Sequence, residues 1–288
     1  MKQRIIGLVP AAGEAKRLFP LPFSKELYPI GHMRFKGRDD LRPKAVCIYL
    51  LEKMKNAGIK DVYIILRKGK WDIPAFLGDG SLLDMNIAYL MMNLPFGVPY
   101  TVNQAFPFTQ DAIVAFGFPD IIFQPENAFK ELLDRHRKSR ADIVLGLFPV
   151  DMPDKFHMVE SGHDGRVKKI VINPKETHLK YTWIIAVWSQ TFSHFMQKDL
   201  KDINRKKRKV EFTGRTLNKR ELHLSDIIQK AIDSNLNVEG VIFSQGSCLD
   251  IGTFDGLTRA VIEHSEIINK IKSMKGFDAL KGKTILKS

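Results

Sequence analysis

The sequence predicts an α/β fold, a mostly parallel sheet covered on both faces by helices. Three observations lead there. Short apolar runs rich in Ile and Val alternate with segments of helical periodicity. The first of these runs ends in a turn of small residues followed by cations, and ligands of open α/β sheets collect at that edge. Finally, 44% of the 288 residues are apolar, enough for a sizeable core, and no run approaches the roughly 18 apolar residues of a bilayer-spanning helix. Disorder and small disulfide scaffolds are excluded, and no membrane span is expected.

Arg4 to Val9 reads as a buried strand bounded by Pro10. The opening Met1-Lys2-Gln3-Arg4 and the apolar run behind it imitate a secretion leader. The run is short and broken by Pro10, so a strand is the expectation. After a long loop, Pro43 stands where a helix tolerates proline in its first turn, Ile48, Leu51 and Met54 recur at helical spacing, and Gly58 is the stop. Asp61 to Leu66 is a second strand, which closes a β–loop–α–β unit with a right-handed crossover. The alternation repeats with a strand over Ala112–Phe116, an amphipathic helix over Glu126–Lys138 and a strand over Ala141–Phe148. Val167–Ile172 and Trp183–Trp188 add strands, Gln190–Asp199 and Ser225–Ser234 helices, Val238–Phe243 a late strand, and Thr253 to about Lys275 a long closing helix. No repeat, low-complexity tract or linker divides the chain, so residues 1–288 are expected to form a single domain.

Lys and Arg number 45 against 32 Asp and Glu, a formal charge of +13. Such a balance attracts either polyanions or small anionic substrates. Its densest piece, Arg205-Lys206-Lys207-Arg208-Lys209 continued by Arg215, Lys219 and Arg220, is expected to be a solvated loop, a basic insertion over about 201–220. No aromatic-interleaved platform of the single-strand-binding kind accompanies these cations, so nucleic acid is disfavoured as a partner. Cys47 and Cys248 allow one disulfide at most and have no metal-ligand spacing; free thiols in a reducing cytoplasm are the expectation.

The turn after the first strand, Pro10-Ala11-Ala12-Gly13-Glu14-Ala15-Lys16-Arg17-Leu18, concentrates the chemistry. Small side chains let backbone N–H groups approach a phosphate, and Lys16 and Arg17 offset its charge. A tight turn also needs small residues for steric reasons alone. The segment is neither a P-loop nor a Gly-x-Gly-x-x-Gly dinucleotide motif.

Leu8-Val9-Pro10-Ala11-Ala12-Gly13-Glu14-Ala15-Lys16-Arg17-Leu18-Phe19-Pro20, followed by Phe23-Ser24-Lys25-Glu26-Leu27-Tyr28-Pro29-Ile30, resembles the opening signature of the sugar nucleotidyltransferases, with the thymidylyltransferases closest in wording. Leu77-Gly78-Asp79-Gly80-Ser81, Gln104-Ala105-Phe106, Asp120-Ile121-Ile122-Phe123 and Cys248-Leu249-Asp250-Ile251-Gly252-Thr253 are similar to later family segments and keep their order. The resemblance implies a three-layer α/β/α Rossmann-like nucleotidyltransferase fold with a mostly parallel mixed central sheet. It also implies a reaction in which an oxygen of a sugar 1-phosphate attacks the α-phosphorus of a nucleoside triphosphate, releasing pyrophosphate and a nucleotide sugar.

Carried over residue by residue, the resemblance makes Arg17 and Lys25 the catalytic cations. It assigns Ala11, Ala12, Gly13, Glu14, Lys16 and Gln104 to the nucleotide and Asp120 and Asp250 to Mg²⁺. Asp120 equally suits a helix or turn cap, and Asp250 a turn before Gly252. Glu160 and Lys175 are the sugar-phosphate candidates, Lys175 directly following Ile172-Asn173-Pro174, where the family writes its lysine at the position of Asn173. Thymidylyltransferases of this type are commonly oligomeric, so the resemblance extends to a homo-oligomer. The departures are as specific. Ala15 and Lys16 replace a glycine and a threonine, Met92 stands near the base-pairing glutamine, His157 replaces a pocket glycine, and Trp183-Ile184 occupy a segment where the family has a glycine. The weakened sugar site leaves a second expectation, a noncatalytic nucleotide or sugar-phosphate sensor on the same fold.

Overall fold

The computed structural model describes residues 3–34, 40–92, 97–212 and 221–264. Its strands are β1 (Ile5–Pro10), β2 (Pro29–Met33), β3 (Arg42–Ala45), β4 (Asp61–Arg67), β5 (Asn86–Met92), β6 (Ile113–Gly117), β7 (Ile121–Gln124), β8 (Ile143–Pro149), β9 (His157–Ser161), β10 (Val167–Ile172), β11 (Tyr181–Trp188), β12 (Val238–Ile242) and β13 (Ser247–Asp250). The α-helices are α1 (Val46–Asn56), α2 (Asp72–Leu77), α3 (Val98–Asn103), α4 (Phe106–Thr109), α5 (Ala128–Ser139), α6 (Gln190–Phe212), α7 (Leu224–Asp233) and α8 (Phe254–Glu263).

Nine strands form one mixed sheet, with the path β10-β9-β11-β6-β1-β4-β5 and with β8 joining β11 to β12. Its centre is parallel: β1 lies between β6 and β4 in registers Ile5↔Ile113 and Gly7↔Val62, and β4 continues parallel to β5. β11 enters antiparallel to both β6 and β8 and so stitches the two ends together. Alternation along each strand sends side chains to opposite faces. On β8, Val144 and Phe148 pack with Leu51, Met54, Phe129 and Leu132 of α1 and α5, whereas Ile143, Leu145 and Leu147 pack with Phe192, Met196, Ile227 and Ile228 of α6 and α7. Helices therefore cover both faces, and the three-layer α/β/α arrangement with a mostly parallel mixed sheet is present.

Several boundaries differ from the sequence expectation. Pro43 is not in a helical first turn; it lies in β3, paired across to His32, and α1 begins at Val46. Among the described residues β3 pairs only with β2, and the missing proline N–H is tolerated on such an edge. The helix expected to end at Asp199 continues to Phe212, so Arg205–Lys209 is helical and not a loop. Lys and Arg are good helix formers, and no Gly or Pro intervenes. Arg215, Lys219 and Arg220 lie outside the described residues, as does the closing helix beyond His264, since α8 spans Phe254–Glu263. No helix among the described residues is long and apolar enough to cross a membrane.

Two short additions position the chemistry. β7 and β13 form a separate antiparallel pair, register Ile121↔Asp250, immediately behind the end of β6. The segment before α1 carries a 3-10 turn, Lys25–Leu27, ahead of β2.

Candidate active site

A cavity of about 400 Å³ opens where β1 and β6 end, between Pro10, Ala12 and Gly13 on one side and Phe118 and Asp120 on the other. This is the carboxyl edge of the parallel strands, where loops diverge and leave a crevice. Arg17, Lys25, Asp120 and Asp250 all line it.

The two aspartates meet because β7 and β13 pair. Asp120 directly precedes β7, Asp250 closes β13, and the Ile251 N–H donates to the Asp120 carbonyl at 3.0 Å. Gly252 leaves space between them: a Cβ there would stand 2.9 Å from Asp250 Oδ1, 3.1 Å from Arg17 Nη2 and 3.4 Å from Asp120 Oδ2. Lys25 Nζ donates to Asp120 Oδ2, Arg17 Nη2 donates to Asp250 Oδ2 at 3.4 Å, and the Gly252 N–H donates to Asp250 Oδ1 at 2.7 Å.

Their proton affinities diverge. Burial disfavours both carboxylates. At Asp120 the Lys25 ammonium and its hydrogen bond outweigh that cost and hold the carboxyl below its ordinary range. At Asp250 burial and the neighbouring Asp120 charge push it up, against the Gly252 N–H, Arg17 and Lys25. Burial opposes charge on Lys25 too, but Asp120 more than compensates and raises it. Two carboxylates converge on one gap, a donor set that suits a hard divalent cation, although no group of three or more His, Cys, Asp or Glu among the described residues is placed to hold a metal ion. Mg²⁺ uses one or two carboxylates in this way and fills its shell with water and substrate phosphates.

The small-residue turn behaves unevenly. Ala12 and Gly13 line the cavity, whereas the Ala11 N–H is committed to the Ile65 carbonyl at 2.8 Å. Ala15, at the family's second glycine, has φ 52° in the left-handed region, which explains physically why glycine suits that position. Glu14 and Lys16 pair with each other at 2.7 Å in solvent and do not line the cavity.

At one end, Gly97, Val98 and Thr101 line the wall. Gly97 has φ +108°, and any Cβ on it would collide with the Leu222 backbone, so glycine is what lets α3 approach this close. Met92 is buried in the core and touches the Thr101 hydroxyl, and Gln104 is exposed at the end of α3, off the cavity.

At the opposite end the wall is Lys155, Phe156, His157, Thr182, Trp183 and His223. Pairing of β11 with β8 shifts register between Trp183 and Ile185, and such irregularities re-aim side chains. Trp183 Nε1 donates to Ser225 Oγ at 2.9 Å, which also meets His157 Nδ1 at 2.7 Å, and the His157 and His223 rings meet edge to face at 4.9 Å. Lys175 is exposed and Glu160 lies on β9 opposite Lys169; neither lines the cavity. The cation at this end is Lys155, which the sequence reading missed although it stands two residues before His157. His223, Thr101 and Glu26, also missed, carry no spacing signal beyond Glu26's place next to Lys25.

The nucleotidyl transferase family profile matches residues 6–266. A glucose-1-phosphate thymidylyltransferase of Streptomyces griseus is 27% identical over 266 residues, covering 90% of this chain and 66% of that protein. A mannose-1-phosphate guanylyltransferase of Mycobacterium tuberculosis is 29% identical over 167 residues, covering 57% of this chain and 43% of its own length. This chain thus spans less than two thirds of either relative. A solved chain from Bacillus anthracis, described as a glucose-1-phosphate thymidylyltransferase in complex with sucrose, shares the fold at TM-score 0.74 and 20% identity, covering 91% of this chain and 96% of that one. With the profile running over nearly the whole chain and around all four charged residues of the cleft, the chain belongs to the nucleotidyl transferase family, among the sugar nucleotidyltransferases.

Proposed function

We propose that the cavity joins a nucleoside triphosphate to a sugar 1-phosphate, giving a nucleotide sugar and pyrophosphate. The observation that carries this reading is the convergence of Arg17, Lys25, Asp120 and Asp250 at the carboxyl edge of β1 and β6. In-line transfer to a phosphate oxygen needs positioning and charge neutralisation, and it uses no covalent nucleophile. The acceptor oxygen bonds to the α-phosphorus while the bond to the β-phosphate bridge oxygen breaks, and the electron pair leaves with pyrophosphate. Arg17 holds the triphosphate and offsets charge on the leaving group, and Lys25 bridges the attacking and α-phosphates. Asp120 and Asp250 hold Mg²⁺, which supplies further charge neutralisation on the phosphate oxygens. Ala12 and Gly13 bring the backbone to the nucleotide.

Lys155 is the cation available to the acceptor phosphate, in place of Lys175. Thymidine, uridine and cytidine triphosphates are the donors we favour; with Met92 in the core, base choice passes to other groups at the α3 end. A cytoplasmic location, where Cys47 and Cys248 remain the thiols they are here, and assembly into an oligomer complete the reading. The crowding of the acceptor end by His157 and Trp183 favours, as the second reading, a nucleotide or sugar-phosphate sensor without turnover.

Pyrophosphate release with Mg²⁺ across five nucleoside triphosphates and a panel of sugar 1-phosphates tests the proposal. Release that needs both one triphosphate and one sugar phosphate supports it. Nucleotide binding by titration calorimetry with silence across the panel favours the sensor.

A further inference from the structure

The turn that carries Lys25 is gripped on both sides by one neighbouring segment. Ser24 donates to Asp72 twice, from its N–H to Oδ2 at 2.6 Å and from its hydroxyl to Oδ1 at 2.7 Å. Two residues on, Glu26 accepts from Lys70 Nζ through both carboxylate oxygens at 2.7 Å. Glu26 and Lys70 are 2% and 5% exposed, and Glu26 directly follows Lys25, which pairs with Asp120. Lys70 and Asp72 frame the start of α2, more than forty residues from the turn they hold.

We infer that Lys70 and Asp72 are positioning residues for Lys25, clamping the residue before it and the residue after it so that its ammonium is held at Asp120 in the cleft. This rests on the transferase reading only for what Lys25 does there; the clamp itself is a statement about where Lys25 is held. A purely structural role accounts poorly for the arrangement. Burying an ion pair is a weak way to stabilise a fold, because desolvation offsets most of the attraction. Burial here raises the Glu26 carboxyl and lowers the Lys70 ammonium, each against the pull of its partner. The contacts instead fix geometry, which transfer reactions need to within a fraction of an ångström.

Trace amine acylation, quantified lysine by lysine by mass spectrometry, tests this without turnover. Lys25 has a 15% exposed side chain, whereas Lys53, bound to Glu126, is 1% exposed and serves as the control for general loosening. In Asp72→Asn and in Lys70→Met, the Lys25 labelling rate should rise several-fold with Lys53 unchanged. Unchanged Lys25 labelling in Asp72→Asn, or an equal rise at both lysines, overturns the inference. If Lys70→Met does not fold, Asp72→Asn decides alone. If the wild-type protein releases pyrophosphate, kcat in Asp72→Asn should fall on the order of tenfold to a hundredfold with nucleotide KM held. The same change should then add nothing in a Lys25→Ala background. A kcat loss of equal size in that background also overturns it. The labelling result stands whether or not the transferase reading survives.

Discussion

Asp120 and Asp250 are the same residue type at the same gap, and their surroundings split them. Asp120 is held charged by Lys25, while Asp250 retains its proton to higher pH because it is buried beside that charge. Asp120→Asn and Asp250→Asn should each cut turnover by orders of magnitude while the fold persists, since neither side chain supports the core; near-wild-type pyrophosphate release in both variants would remove the metal assignment. The same split has opposite signs in stability. Relative to the ordinary 3.8, the depressed Asp120 contributes stability that is present above that pH and lost as pH falls below it through the folded value. The raised Asp250 works the other way, losing stability as pH rises from 3.8 through its higher folded value. Thermal unfolding against pH should therefore show a shallower acid loss in Asp120→Asn and a flatter decline above pH 3.8 in Asp250→Asn. Curves that superimpose on wild type would contradict the assigned directions. A third residue-scale test is Ala15, whose φ of 52° burdens an L side chain. Ala15→Gly should gain roughly 0.5–1 kcal/mol in denaturant unfolding, the left-handed strain less the extra entropy of glycine, and a loss would mean the turn is not strained.

At the scale of elements, the informative unit is the Ser24–Leu27 turn with its anchors at the start of α2, Lys70 just before it and Asp72 as its first residue. Removing one member of a buried pair strands the other, so Lys70→Met alone should destabilise by about 3–5 kcal/mol, whereas Glu26→Leu with Lys70→Met should be neutral to stabilising by about 1–4 kcal/mol. Chemical denaturation of both variants checks this, and a double variant as weak as the single would show that the charges hold the fold. Little of this was legible in the sequence. Arg17, Lys25, Asp120 and Asp250 were readable because each sits in a local run of familiar residues, and β1, β4, β6 and β8 because fully buried strands read as unbroken apolar stretches. Lys70 offers no local pattern, since its meaning comes from a partner 44 positions away. β7 and β13 are only four residues each and say nothing of their pairing until both are folded. Lys155 is not legible for a related reason: motif alignment ranks positions along the chain, and loop geometry decides which cation lines the cavity. Pro43 misled because a proline suits a first helical turn and an edge strand equally, and only β2 decides between them.

At the scale of the whole molecule, the cleft lies on a seam. Arg17, Lys25, Ala12 and Gly13 come from the β1 side, Lys155, His157, Trp183 and His223 from the part built on β8, β9 and β11, and the joint between them is the antiparallel contact of β11 with β6. A ligand spanning the cavity touches both sides, so its binding free energy should be added to the unfolding of the entire sheet. We expect one cooperative thermal transition, consistent with a single domain. A nucleoside triphosphate with Mg²⁺ at a hundred times its Kd should stabilise that state by about 2.7 kcal/mol and raise Tm by several degrees. The Asp120→Asn protein should lose the part of the shift that Mg²⁺ supplies and keep the part due to nucleotide contacts with Ala12, Gly13 and Arg17. Differential scanning calorimetry distinguishes the outcomes, because a ligand that moves only one of two resolved transitions would mean that the halves unfold separately and that the seam is a domain boundary, whereas a single peak moving intact means that the cleft and the sheet are one cooperative unit.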